Sequence, residues 1–227
     1  MSTAARTHHH AGTHPVDVRI EPAIEDRNRL TTAFRVLLAI PHLLLVGGPI
    51  ALTLSWTSTA DVGMRPDWGM GGGALGVVAA LCALIAWFAI LFTGRYPEGL
   101  EKLVRYYLRW RVRAVAYIAL LRDEYPPFGD DAYPIALEID PADAARERDR
   151  LTVAFRIILA IPHLIVVWLL GLAWLLSTVI AWFAILLTGR YPEGLYRFGV
   201  GVLRWNTRVE AYLLLLHDEY PPFSLEG

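Results

Sequence analysis

The sequence predicts an all-α integral membrane protein built as two tandem repeats. Each repeat is expected to be a transmembrane helical hairpin followed by a basic amphipathic helix lying in the interface. Three observations carry that fold class. The run A-W-F-A-I-L-F-T-G-R-Y-P-E-G-L at Ala86–Leu100 returns at Ala181–Leu195 with Leu187 in place of Phe92 as its one change. Hydrophobic residues make up 55% of the 227, with a mean hydropathy of +0.40, and they come in blocks, beyond the usual share of a soluble chain. Eight Trp and ten Tyr suit the belts in which amphipathic rings sit at headgroup level. The net charge of −1 hides segregation: arginines follow the apolar blocks, while Asp and Glu gather in the linkers.

The elements follow in order. Residues 1–14 are small and polar, with His8, His9, His10 and His14, and read as a disordered tail. Repeat one occupies 15–133 and repeat two 134–227. Val16, Val18 and Ile20 alternate with polar residues, as do Ile135, Leu137 and Ile139, predicting a short strand ahead of each repeat, with the two positioned to pair. Arg27-Asn28-Arg29-Leu30-Thr31 matches Arg148-Asp149-Arg150-Leu151-Thr152 at an offset of 121, and both copies continue into L-A-I-P-H-L. At the T-G-R-Y-P-E-G corner the offset is 95, so copy one carries 26 additional residues between these landmarks.

That insertion includes Asp61, Arg65, Asp67 and several glycines, and hydrated residues are costly at mid-bilayer. It therefore predicts spans at about 30–56 and 74–93 around an external loop at about 57–73. In copy two, Ile157–Thr188 is 32 residues, about 48 Å of helix at ~1.5 Å per residue, against a ~30 Å hydrocarbon core. Together with Leu151–Arg156, Arg156 snorkelling to the headgroups, this predicts spans at about 151–170 and 172–188 with a tight turn near Gly171. A re-entrant hairpin is the competing arrangement. After each corner, Lys102, Arg105, Arg109 and Arg113, or Arg197, Arg204 and Arg208, fall on one helical face, which predicts an interfacial helix. Cations at both ends of each hairpin place both termini in the cytoplasm.

The L-A-I-P-H-L, A-W-F-A-I-L-x-T-G-R-Y-P-E-G-L, L-R-W and D-E-Y-P-P-F blocks resemble the bacterial, often actinobacterial, membrane family called domain of unknown function 4389, in two copies from Leu30 to Phe223. The resemblance implies a multi-pass protein of the bacterial plasma membrane and supplies no reaction, catalytic residue or cofactor.

The residues themselves suggest where ligands would sit. Arg95, Tyr96, Arg190 and Tyr191 at the corners, with Arg109, Trp110, Arg204 and Trp205 on the basic helices, are candidates to contact lipid phosphate, because a guanidinium presents a bidentate fork. His42 and His163 follow Pro41 and Pro162 in apolar segments and are the intramembrane polar candidates. The expectation for them is a ring capping the carbonyl that the proline frees. Asp123-Glu124 and Asp218-Glu219 read as solvated helix ends rather than metal ligands. No catalytic residue, metal site or cofactor is expected, since no nucleophile elbow, phosphate-cradling loop or Cys/His spacing occurs, and Cys82 is the single cysteine.

These features favour a non-enzymatic scaffold or accessory subunit that contacts anionic lipid and a membrane protein partner, with no nucleic acid. A homo-oligomer is compatible with it. An enzyme acting on a lipid or polyprenyl phosphate, and a transporter or channel subunit, are the alternative classes.

Overall fold

The computed structural model describes residues 14–48, 54–55, 65–66, 73–140 and 148–226. Among them are β1 (Val16–Ile20), α1 (Arg29–Ala33), α2 (Arg35–Val46), β2 (Leu54–Ser55), β3 (Arg65–Pro66), α3 (Gly73–Thr93), α4 (Glu98–Ile118), β4 (Ile135–Ile139), α5 (Arg150–Thr188) and α6 (Glu193–Leu213). The tail at 1–13 and most of the expected loop at 57–73 lie outside the described residues.

The turn expected near Gly171 is absent. α5 is one helix of 39 residues, about 58 Å long at ~1.5 Å per residue, so the spans expected at 151–170 and 172–188 are continuous. A lone glycine weakens a helix by only ~1 kcal/mol, and the partner packed along α5 outweighs that. Asn28 and Asp149 cap the two equivalent helix starts through their side chains. Gly189, in the left-handed region at φ 74, ends α5, and its N–H reaches the Ile185 carbonyl.

Copy one holds the same long helix, interrupted. Arg29–Val46 and Gly73–Thr93 together contain the same 39 residues as α5. Val46 aligns with Val167 and Gly73 with Trp168, so the insertion is residues 47–72. It leaves and rejoins the helix at one point: a Cβ on Gly73 would lie 2.6 Å from the Leu45 carbonyl carbon. Only glycine allows so close a return at φ +62.

The two copies exchange contacts reciprocally. Arg27 N–H bonds to the Gly189 carbonyl at 2.9 Å, and Arg148 N–H to the Gly94 carbonyl at 3.0 Å. The Trp182 indole donates to the Thr32 carbonyl at 3.0 Å, and the Trp87 indole to the Val153 carbonyl at 2.9 Å. β1 and β4 pair antiparallel, Val18 opposite Leu137, as the strand patterns predicted. Each strand also crosses over: Arg204 of α6 donates to the β1 Val18 carbonyl, and Arg105 of α4 to the β4 Ile139 carbonyl.

Three layers result. The long helices form one face, α4 and α6 the middle, and the β1–β4 ribbon part of the other. The interfacial placement expected of α4 and α6 is thereby corrected. Both are interior helices, and residues on several faces are buried, among them Leu108, Trp110, Arg111 and Val115, and Leu203, Trp205, Arg208 and Val209. Arg105, Arg113, Arg204 and Arg208 donate to backbone carbonyls of the covering segments, while Lys102 and Arg197 stay exposed.

Candidate functional site

The most elaborate polar arrangement occurs twice, where each long helix begins. Arg35, one turn into the first long helix, is 1% exposed, and so is Arg156 in the second. Neither snorkels outward. Arg35 donates to the Arg122 carbonyl at 2.9 Å and to Asp123 at 2.5 Å, with its guanidinium 4.1 Å from the Tyr117 ring centroid. Arg156 donates to the His217 carbonyl at 2.8 Å and to Asp218 at 2.6 Å, over the Tyr212 ring at 4.4 Å. Arg27 adds a second buried guanidinium on Asp123, with bonds of 2.8 and 2.9 Å, and Arg148 lies 3.7 Å from Asp218.

The turns that supply these carbonyls are strained alike. Leu120 and Leu215 have φ of 62 and 63, each one residue before a bond that closes the helix end, Leu121 N–H to the Ala116 carbonyl and Leu216 N–H to the Ala211 carbonyl. The turns, at about 1–3 kcal/mol of strain per residue, leave the Leu120 carbonyl accepting from Arg27 and, one residue past the strained Leu215, the Leu216 carbonyl accepting from Arg148.

Asp123 and Asp218, read from sequence as solvated ends, are thus the acceptors that hold the buried arginines. Burial alone would raise the Asp123 pKa. The Arg27 hydrogen bond, the Asn28 N–H and the charges of Arg27 and Arg35 outweigh that and hold it below the ordinary carboxylate range. Burial, with His14, Arg156 and Arg148 nearby, pushes His217 down to about 3, so it packs as a neutral ring. Arg27, Arg35, Arg148 and Arg156 were missed as a constellation. The available signal was an arginine and an aspartate recurring together in both copies.

The histidines sit just beyond. The Trp110 indole donates to His42 Nδ1 at 3.0 Å and the Trp205 indole to His163 Nδ1 at 3.2 Å, so the ring proton is on Nε2 in both. Phe128 stacks on His42 at 4.7 Å and Phe223 on His163 at 3.9 Å. The expected capping of a proline-freed carbonyl is replaced by a clasp between the long helix, the middle helix and the D-E-Y-P-P-F segment. His42→Gln and His163→Gln should retain stability, because an amide oxygen accepts from the same indole. His→Leu should cost ~1–3 kcal/mol per site by orphaning a buried N–H. Unfolding of the detergent-solubilised protein measures both.

The remaining sequence candidates divide. Trp110 and Trp205 are buried at 6%, Arg109 faces Asp130 at 3.5 Å, and Arg204 is held by β1. Tyr96 and Tyr191 are buried, with Tyr96 donating to the Leu214 carbonyl at 3.3 Å. Arg95 and Arg190 are exposed at the corners, Arg190 lying 3.4 Å from Glu25. One further linkage breaks the symmetry. Buried Arg111 donates to Glu210 at 2.8 Å and to the Val46 carbonyl at 2.6 Å, tying α4, α6 and α2 together. Asn206 and Val115 occupy the equivalent positions of the other copy.

No group of three or more His, Cys, Asp or Glu able to hold a metal ion occurs among the described residues. The groups of the arginine–aspartate cages are largely engaged in holding helices together. Fold and site define a duplicated helical protein with two helices long and apolar enough to cross a membrane. The family model described as "Domain of unknown function (DUF4389)" matches residues 72–129 and 150–224, and the chain belongs to that family in two tandem copies. The first match begins where the insertion ends. No curated protein and no solved structure matches.

Proposed function

We propose that this protein is a non-enzymatic scaffold of the bacterial plasma membrane, docked through its long helices onto anionic lipid and presenting the polar layer to a protein partner. One observation carries the reading: an apolar stripe exposed along the whole of α5. Leu151, Phe155, Ile158, Ile165, Leu169, Leu176, Ile180, Phe183 and Leu187 are each at least half exposed, and Leu37, Leu44, Leu81, Ile85 and Phe92 extend the face across copy one. A soluble surface rarely carries so large a continuous apolar patch.

The layering supports α5 lying along the membrane surface rather than across it. α6 packs antiparallel beside α5 at Arg156–Tyr212, His163–Trp205 and Trp174–Gly199. β1 sits on the middle of α6, with Asp17, Arg19 and Glu138 of the ribbon exposed. A crossing α5 would carry these charges to mid-depth, at ~2.5–3.5 kcal/mol for each. The apolar face shed into one leaflet leaves them in water, as in interfacial helices. Arg95 and Arg190, exposed at the corners, are set to meet headgroup phosphate.

Depth labelling tests this in a Cys82→Ala background. Single cysteines at Leu151, Leu169 and Leu187, carrying a fluorophore, should be quenched best by shallow nitroxide lipids at all three sites. Deep quenching confined to Leu169 would mean a crossing helix and would sink the surface-docked reading.

A further inference from the structure

β1 lies across α6, and its leading end is fastened by two histidine rings. His14 meets His217 edge to face, with ring centroids 4.9 Å apart. His217, just past α6, is fully buried, and His14, ahead of β1, is half-buried. His14 Nδ1 accepts from the Val16 N–H at 3.1 Å, and His217 Nε2 donates to the Arg208 carbonyl at 3.4 Å. The other nitrogen of each ring, His14 Nε2 and His217 Nδ1, is buried with no hydrogen-bond partner.

The charges that act on the pair are cationic. Arg208 of α6 acts on His14, and Arg156 of α5 and Arg148 ahead of it act on His217. The Tyr212 ring of α6 lies 5.9 Å from His217. Of the nearby carboxylates, Asp218 accepts from Arg156 and lies 3.7 Å from Arg148, and Asp17 of β1 faces Arg19 at 3.4 Å. Burial, then the Arg208 charge, holds His14 down to about 4, and burial with His14 and the arginines holds His217 at about 3.

Copy one builds the same joint from groups that keep their protons at neutral and mildly acid pH. Tyr133-Pro134-Ile135 stands where copy two's joint has His14-Pro15-Val16, and Arg122 stands in place of His217. The Tyr133 hydroxyl donates to the Glu124 carbonyl at 2.8 Å, and Arg122 pairs with the Glu124 carboxylate at 2.6 Å.

We infer that the His14–His217 contact is an acid-sensitive latch: as the rings take up protons, the equilibrium moves toward release of β1 from α6. Release solvates His14, uncovers the side of His217 against it, frees Arg204 from the Val18 carbonyl and exposes buried Val16 and Val18. It does not depend on how the protein meets a membrane. Both rings are held below their free value of 6.5, so closure is unopposed above that pH and increasingly opposed as pH falls toward 4. From pH 7.5 to 5.0 the opening constant should rise about thirtyfold if His14 alone reaches water, and on the order of a thousandfold if both rings do.

Hydrogen–deuterium exchange of the full chain in detergent reads this as protection factors, which remove the intrinsic pH dependence of exchange. Amides of residues 16–21 should lose about thirtyfold or more in protection between the two pH values, while those of residues 200–210 in α6 keep theirs. His14→Asn with His217→Gln retains an acceptor for the Val16 N–H and a donor for the Arg208 carbonyl, yet cannot titrate. Its protection should match wild type at pH 7.5 and hold at pH 5.0. His14→Tyr with His217→Arg, which copies the joint of copy one and has Glu219 as its carboxylate, should behave alike. Equal protection of residues 16–21 at both pH values in wild type overturns the latch. So does an acid loss that persists in both double variants, or one that α6 shares, which is global unfolding.

Discussion

Asp123→Asn should destabilise the fold by about 3 kcal/mol at neutral pH, and Asp218→Asn by a similar amount. Each substitution leaves buried guanidiniums without their carboxylate, and removing one partner of a buried pair typically costs about 3–5 kcal/mol. The lower end applies because the Asp123 side chain keeps 23% of its exposure while Arg27 and Arg35 keep 1% and 2%. The pH dependence follows from sign. The folded pKa of Asp123 lies below its unfolded value of about 3.9, so its contribution is fully present above that pH. It is lost as pH falls through the depressed folded pKa. Wild-type stability in detergent should therefore decline below about pH 4, and Asp123→Asn should decline less steeply there. Replacing Arg27 and Arg35 by Met together with Asp123 by Leu should recover part of the single-variant loss, since no desolvated charge is then left on that carboxylate's side. An Asp123→Asn protein that unfolds like wild type at pH 7 would show that Arg27 and Arg35 are satisfied by backbone carbonyls alone.

The second large effect concerns the apolar face. Ile158 and Leu176 are 62% and 65% exposed, so they contribute little to internal packing. Ile158→Glu with Leu176→Glu should leave unfolding in detergent near wild type and detach the protein from liposomes. Loss of two apolar side chains from lipid removes about 1.5–3 kcal/mol each before the added charge is counted. Vesicle affinity should then fall more than about a hundredfold, since 1.4 kcal/mol is a factor of ten. Flotation on phosphatidylglycerol vesicles measures this directly. Co-flotation equal to wild type would mean that the stripe packs against protein instead.

Much of the architecture was legible in sequence because it is written in local chemistry. The duplication, the 26-residue insertion, the Gly94 and Gly189 stops and the alternating strands at 16–20 and 135–139 each depend on neighbouring residues alone. The candidate site was legible only in pieces. His42 and His163 stood out as polar groups in apolar runs, but their partners are 68 and 42 residues away. Arg109 and Arg204 looked like lipid contacts because a basic helical face without visible neighbours reads as exposed. In the fold the Val18 carbonyl holds Arg204, while Arg109 faces Asp130 and keeps 40% of its side-chain exposure.

By itself the sequence determined that this chain is a tandem duplication of apolar and basic helices, because repeats, caps and hydropathy are properties of adjacent residues. Tertiary structure alone decided three other things. α5 continues through Gly171, because α6 supports it along its length. The basic helices lie inside, because the strands and the residues just past the D-E-Y-P-P-F segments supply carbonyls for Arg105, Arg113, Arg204 and Arg208. Arg35 and Arg156 turn inward to Asp123 and Asp218, because a buried guanidinium is stable only where a folded chain brings an acceptor to it, and that acceptor lies 88 residues away in one copy and 62 in the other.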